Sequence, residues 1–130
     1  MGMHKFYRSQ DGLVNLTPHE IILMDEGGKE IAKFPSRGLA RCQVVREIVD
    51  WIMIIQPAYD GETEIRKVPV NSTFMGQVEG LPEPDGETFY IVSLAVAQAM
   101  SGKRSDLLVT DDTVRDENGK IVGCRAFARV

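Results

Sequence analysis

With 130 residues, 43% of them apolar and 26% charged, the chain has the size and mix of one ordinary globular domain around a single core. Its net charge of −4 excludes a general nucleic-acid binder, which needs a basic face, although 15 Lys and Arg still allow a local basic pocket. The most apolar stretch, Ile48–Ile55, is far short of the roughly 18 residues of a membrane span, and MGMHKFYRSQDG lacks the apolar run of a secretion signal. The expectation is a single-domain cytosolic protein without a membrane partner.

Residues 1–11 are polar and mixed, and read as an N-terminal arm. Leu13–Leu16 is a short strand closed by Thr17-Pro18, since proline donates no ladder hydrogen bond. Glu20–Met24 and Lys29–Phe34 form a hairpin about Asp25-Glu26-Gly27-Gly28, whose glycines accept positive φ. After the turn Pro35–Gly38, the alternation over Leu39–Glu47 has the period of a strand. Ile48–Ile55 fits a helical face as well, but its β-branched residues favour strand. Pro57–Thr63, with Asp60-Gly61, is a hairpin loop. Glu64–Val70, weakened by Pro69 and so suited to an edge, turns at Asn71-Ser72 into another strand at Thr73–Val78.

Gly80–Gly86 is a loop with two prolines, and Phe89–Val92 is extended. Ser93 stands where an N-cap belongs, ahead of a helix over Leu94–Met100 that Ser101-Gly102 ends. Its alanines let it sit close to a sheet. Strands follow at Asp106–Thr110 and Thr113–Arg115, then the strongest hairpin signal of the chain, Asn118-Gly119, and a closing strand Ile121–Val130. The predicted fold is α+β: a mainly antiparallel sheet with one principal helix packed on it.

Catalytic motifs are sparse. His19 could serve as base or ligand, but a histidine ordering a turn is the commoner use. Cys42 and Cys124 lie on apolar strands where reduced, buried thiols are expected. The acidic run Asp111, Asp112, Asp116, Glu117 and Asn118 lacks the spacing of a calcium loop, and the glycines form no phosphate fingerprint. No catalytic residue, metal or cofactor is predicted. What remains are arginines at turns and strand ends, Arg37, Arg66, Arg104 and Arg115, whose guanidinium forks match a phosphate. Asp106 and Asp116 could hold Arg104 and Arg115 in place, and the rings of Phe89 and Tyr90 could stack on a base. The competing reading is that the arginines are ordinary surface and the aromatics core.

Several blocks carry a resemblance: Val14-Asn15-Leu16-Thr17-Pro18-His19, Gly80-Leu81-Pro82-Glu83-Pro84, Tyr90-Ile91-Val92-Ser93, Arg104-Ser105-Asp106-Leu107-Leu108, Val114-Arg115-Asp116-Glu117 and Gly123-Cys124-Arg125. The chain resembles small proteins of phages and prophages and is similar to the phage anti-Thoeris sponge proteins. That resemblance implies an anti-defence protein in the cytoplasm of an infected bacterium. It would bind a cyclic ADP-ribose isomer or a cyclic oligonucleotide without degrading it. Arg37, Arg66 and Arg115 would contact phosphates, and Tyr90, or Phe89 beside it, would stack on adenine. Pockets of this kind often lie between subunits, so a homo-oligomer is expected. The alternatives are a phage structural or interaction protein, whose edge strands and Trp51 patch pair with another protein, and a small hydrolase using His19 or Asp106.

Overall fold

A computed structural model describes residues 12–130; the expected arm at 1–11 lies outside them. In chain order the elements are β1 (Leu13–Asn15), β2 (Ile21–Met24), β3 (Glu30–Phe34), β4 (Arg41–Pro57), β5 (Thr63–Glu79), β6 (Phe89–Ile91), α1 (Leu94–Ala99), β7 (Leu107–Arg115) and β8 (Ile121–Ala128). The architecture is α+β and mainly antiparallel, with the one helix expected. The chain divides into two compact units: residues 12–42 with 77–130, and Gln43–Gly76.

The first unit holds a six-stranded sheet in the order β1-β6-β7-β8-β2-β3. The hairpins β2/β3 and β7/β8 are antiparallel, as their glycine turns dictate, with Gly28 at φ 83° and Gly119 at φ 80°. The pairs β1/β6, β6/β7 and β2/β8 are parallel. A parallel pair needs a crossover of a dozen or more residues, and for β6/β7 that crossover contains α1. Ser93 caps the helix, its hydroxyl accepting from the Val96 N–H at 3.3 Å. Val96 and Ala97 are buried with Leu16, Ala40, Tyr90, Val92, Leu107 and Val109. A second cluster joins Ile21, Phe34, Ile91 and Cys124, with Phe127 edge-on to Phe34. Cys42 packs against the first cluster and Cys124 belongs to the second, and no disulfide joins them.

The buried Asn15 explains the Asn-Leu-Thr-Pro-His block. Its side-chain nitrogen donates to the carbonyls of His19 (2.7 Å) and Phe34 (2.9 Å). Its Oδ1 accepts from the Thr17 N–H (2.9 Å) and the Thr17 hydroxyl (2.7 Å). One amide therefore ties the turn after β1 to the end of β3, in a place where unmet polar groups would be costly.

Three sequence boundaries need correction. Asn71-Ser72 is no turn: Glu64–Val70 and Thr73–Val78 are one strand, β5. Leu39–Glu47 and Ile48–Ile55 likewise merge into β4, so Ile48–Ile55 is strand. Pairing along a partner of equal length carries both strands through positions that would otherwise turn. Asp106–Thr110 and Thr113–Arg115 also form a single strand, β7, which runs through Asp112 at φ 48°. Aspartate tolerates that conformation better than most residues.

The second unit is the two-stranded ribbon of β4 and β5, closed by the loop 58–62 with Gly61 at φ 86°. No residue of Gln43–Gly76 is buried. Lys67 Nζ lies 4.6 Å from the centre of the Trp51 ring, and Arg66 pairs with Glu64 at 2.7 Å.

Candidate functional site

β6 and β7 run side by side in the register Tyr90 to Leu107 and Ile91 to Leu108. Their starts therefore meet, and the Tyr90 N–H donates to the Asp106 carbonyl at 2.9 Å. Because β8 returns antiparallel, with Ala128 opposite Val109, Arg129 reaches this same end of the sheet. Arg104 arrives from the turn after α1, where the N–H groups of Lys103 and Arg104 both donate to the Met100 carbonyl. Three short connections thus deliver aromatic, acidic and basic side chains to one place.

The centre of the cluster is a bidentate pair. Arg104 Nε donates to Asp106 Oδ1 and Nη2 to Oδ2, both at 2.8 Å, and Nη2 also reaches the Pro82 carbonyl at 2.9 Å. The side chains are only 12% and 15% exposed. The hydrogen bonds from Arg104 hold the Asp106 carboxyl below the usual carboxylate range, and Asp106 raises the guanidinium in turn. These bonds leave Arg104 Nη1 to make others. The loop they grip begins at Gly80, with φ 86°, where a Cβ would stand 2.3 Å from the Leu39 carbonyl oxygen, so only glycine fits. Farther along the loop, Asp85 accepts from the N–H groups of Glu87 (2.8 Å) and Thr88 (2.7 Å) and from the Thr88 hydroxyl (2.7 Å).

Arg129 lies over the Phe89 ring, its guanidinium carbon 5.4 Å from the ring centre. Arg104, Arg129, Ser105, Ala97, Leu107 and Val130 enclose a notch of about 120 Å³. The notch itself is lined by two guanidinium groups, while Asp106, Asp85 and Glu83 act electrostatically on the same cluster, which therefore carries charge of both signs. Tyr90 stands differently: it is buried in the first core cluster, and burial, followed by Asp85 and Asp106, pushes its hydroxyl above the ordinary tyrosine value. The core reading of this ring is the one the structure favours.

Four of the seven sequence-predicted ligand residues, Phe89, Tyr90, Arg104 and Asp106, therefore come together. Arg37 and Arg115 do not join them, and Arg66 belongs to the second unit. Arg37 is in the turn after β3, its N–H donating to the Asn15 carbonyl. Arg66 belongs to the ribbon and pairs with Glu64. Arg115 ends β7, about 26 Å along the strand from Leu107 at roughly 3.3 Å per residue. Its Nη1 donates to the Gly119 carbonyl at 2.7 Å, whereas Asp116 accepts from the Asn118 and Lys120 N–H groups. Asp116 therefore shapes the hairpin instead of holding Arg115. Arg129 escaped notice because it stands in no motif; counting outward from Asn118-Gly119 would have placed it opposite the start of β7.

A larger groove, about 690 Å³, is lined by Thr17, residues 19–22 and 92–94, Lys120 and parts of β7 and β8. Its walls are mainly apolar, with Thr17, His19, Glu20, Ser93, Thr110, Thr113 and Lys120 as polar members, and it takes in none of the seven predicted residues. Among the described residues no three His, Cys, Asp or Glu side chains cluster as metal ligands, and no helix is long and apolar enough to cross a membrane. No protein family, curated protein or solved structure matches the chain.

Proposed function

We propose that this protein is a binding module that sequesters a small anionic nucleotide signal, a cyclic ADP-ribose isomer or a cyclic oligonucleotide, without turning it over. The observation that carries the reading is the notch in which Arg104, locked by Asp106, and Arg129, laid on Phe89, present two guanidinium groups at one end of the sheet. Arg104, held by Asp106 and the Pro82 carbonyl, offers the N–H groups of Nη1 to a phosphate without first losing rotamer freedom. The outer side of a guanidinium held over a ring also offers a platform for a base. The resemblance to phage anti-Thoeris proteins points to the same class of ligand and to the cytoplasm of an infected cell.

Small-molecule sites usually enclose about 300–1,000 Å³. A notch of about 120 Å³ takes one phosphate group, leaving sugar and base outside it. A second copy of the chain is the proposed further wall, which makes the functional form a homo-oligomer. Turnover is disfavoured by the state of Asp106, because a carboxylate engaged by Arg104 through both oxygens, with its proton affinity lowered, is a weak general base.

Calorimetry at tens of micromolar protein, with cyclic ADP-ribose isomers and cyclic di- and trinucleotides, tests the reading. The expected result is nanomolar binding of one ligand, about −12 kcal/mol, with the ligand recovered intact by chromatography after denaturation. Arg129→Ala should weaken binding at least tenfold, about 1.4 kcal/mol, while leaving the fold in place. No heat with any of these ligands removes the proposal, and a chemically altered product supports the hydrolase. The exposed apolar ribbon favours a second reading, an interaction protein of phage assembly, for which co-purification with virions is the sign.

A further inference from the structure

The ribbon is apolar on both of its faces. Successive residues of a strand point to opposite sides, yet β4 exposes Val44, Ile48 and Ile52 on one side and Val45, Val49 and Trp51 on the other. Such a run is the pattern of a strand with neighbours, and two strands alone are marginal in water. The two edges of the ribbon are not equivalent. β5 carries Pro69 near its middle, which removes a donor and blunts that edge, whereas β4 has no proline between Arg41 and Gln56.

The charges on β4 then select the occupant. Arg46 and Asp50 stand on the same side of the strand, two residues either way from Ile48. If two copies of β4 pair antiparallel with Ile48 at the twofold axis, each Arg46 meets the Asp50 of the other copy. Val44 then lies opposite Ile52, and Val45 opposite Trp51. An interface between identical chains must be self-complementary about its axis, and from Val44 to Ile52 every pair is so except Glu47 opposite Val49.

We infer that β4 is a self-association edge: it pairs antiparallel with β4 of a second copy, centred on Ile48, to make one four-stranded sheet. This goes beyond the ligand proposal and does not depend on it. Four strands exceed the number at which a sheet becomes stable on its own, and the facing side chains cover one another as cross-strand pairs.

Sedimentation of the full chain at tens of micromolar should show two copies or an even multiple. Either single reversal, Arg46→Asp or Asp50→Arg, places like charges opposite each other twice and should weaken association about tenfold. The double reversal R46D/D50R should restore it. Independently of any loss of folding in those variants, Ile48→Cys should form an intermolecular disulfide with itself under mild oxidation. Ile52→Cys, displaced from the axis, should not. A wild-type chain that sediments singly, alone or captured by another protein, overturns the inference. So does an oligomer indifferent to both reversals, or a double reversal that fails to restore it.

Discussion

The six-stranded sheet and the ribbon use the same vocabulary of residues and treat it in opposite ways. Ile91 in β6 is wholly buried, whereas Ile52 in β4 is 48% exposed. In the sheet, a helix and a second cluster of side chains supply cover for short strands of three to nine residues. In the ribbon, β4 and β5 run on over residues 43–76 with no residue buried. Strand formation follows from β-branched residues and a partner edge; burial requires something further that a single chain need not contain. Stability should therefore be concentrated in the sheet and its polar ties, and the ribbon should report on association.

The largest effect is expected at Asn15. Asn15→Ala deletes a side chain that makes four hydrogen bonds, leaving the Phe34 carbonyl short of a donor and the His19 carbonyl with only the Thr17 hydroxyl at 3.1 Å. At about 1–3 kcal/mol for each buried group left unmet, a loss of roughly 3 kcal/mol should appear in denaturant unfolding followed by circular dichroism. Asn15→Asp should not rescue it, because a carboxylate cannot donate to those two carbonyls. A change under 1 kcal/mol would mean that the turn after β1 is held by other contacts.

Next comes the Arg104–Asp106 pair, with about 2 kcal/mol expected for Asp106→Asn, since hydrogen bonds to charged groups contribute roughly 1.5–3 kcal/mol. The sign of its pH dependence follows from the lowered carboxyl. A group with a depressed folded-state value stabilises fully above its unfolded value, near pH 3.9, and the contribution is lost as pH falls through the folded value. The gap between wild type and Asp106→Asn should thus be constant from about pH 7 to pH 5 and close below about pH 4. A gap that instead closed between pH 7 and pH 5 would contradict the lowered carboxyl.

Which parts of this were legible in the sequence depends on how local the cause is. The turns at Gly28, Gly61 and Gly119, the Ser93 cap and the helix after it all follow from a few adjacent residues, and they stand where expected. Arg104 and Asp106 are two positions apart, so their pairing could be foreseen too. The parallel pairing of β6 with β7 is not local, and it alone explains why Phe89 and Asp106 meet while Arg115 ends up at the far end of the same strand. Asn71-Ser72 misled for the opposite reason: its turn propensity is real but yields to an unbroken partner strand. Asn15 was noticed as part of a block, but its role depends on the Phe34 carbonyl, 19 residues away.

The smallest effect on unfolding is expected in the ribbon, and its dependence on concentration gives it meaning. Ile52→Thr keeps a β-branched residue on an exposed position. In the single chain it should therefore change unfolding by less than about 0.5 kcal/mol, the usual bound for a surface substitution. If β4 associates with its copy, the folded state gains stability with protein concentration, and the Ile52→Thr deficit should grow over the range in which the chain self-associates. The Asn15→Ala deficit should stay constant. The lone tryptophan, Trp51, lies on the ribbon, so its fluorescence should follow the concentration-dependent part and circular dichroism the whole. An Ile52→Thr deficit that is large and unchanged at every dilution would mean that the ribbon is covered within one chain, and the contrast between the two regions would collapse.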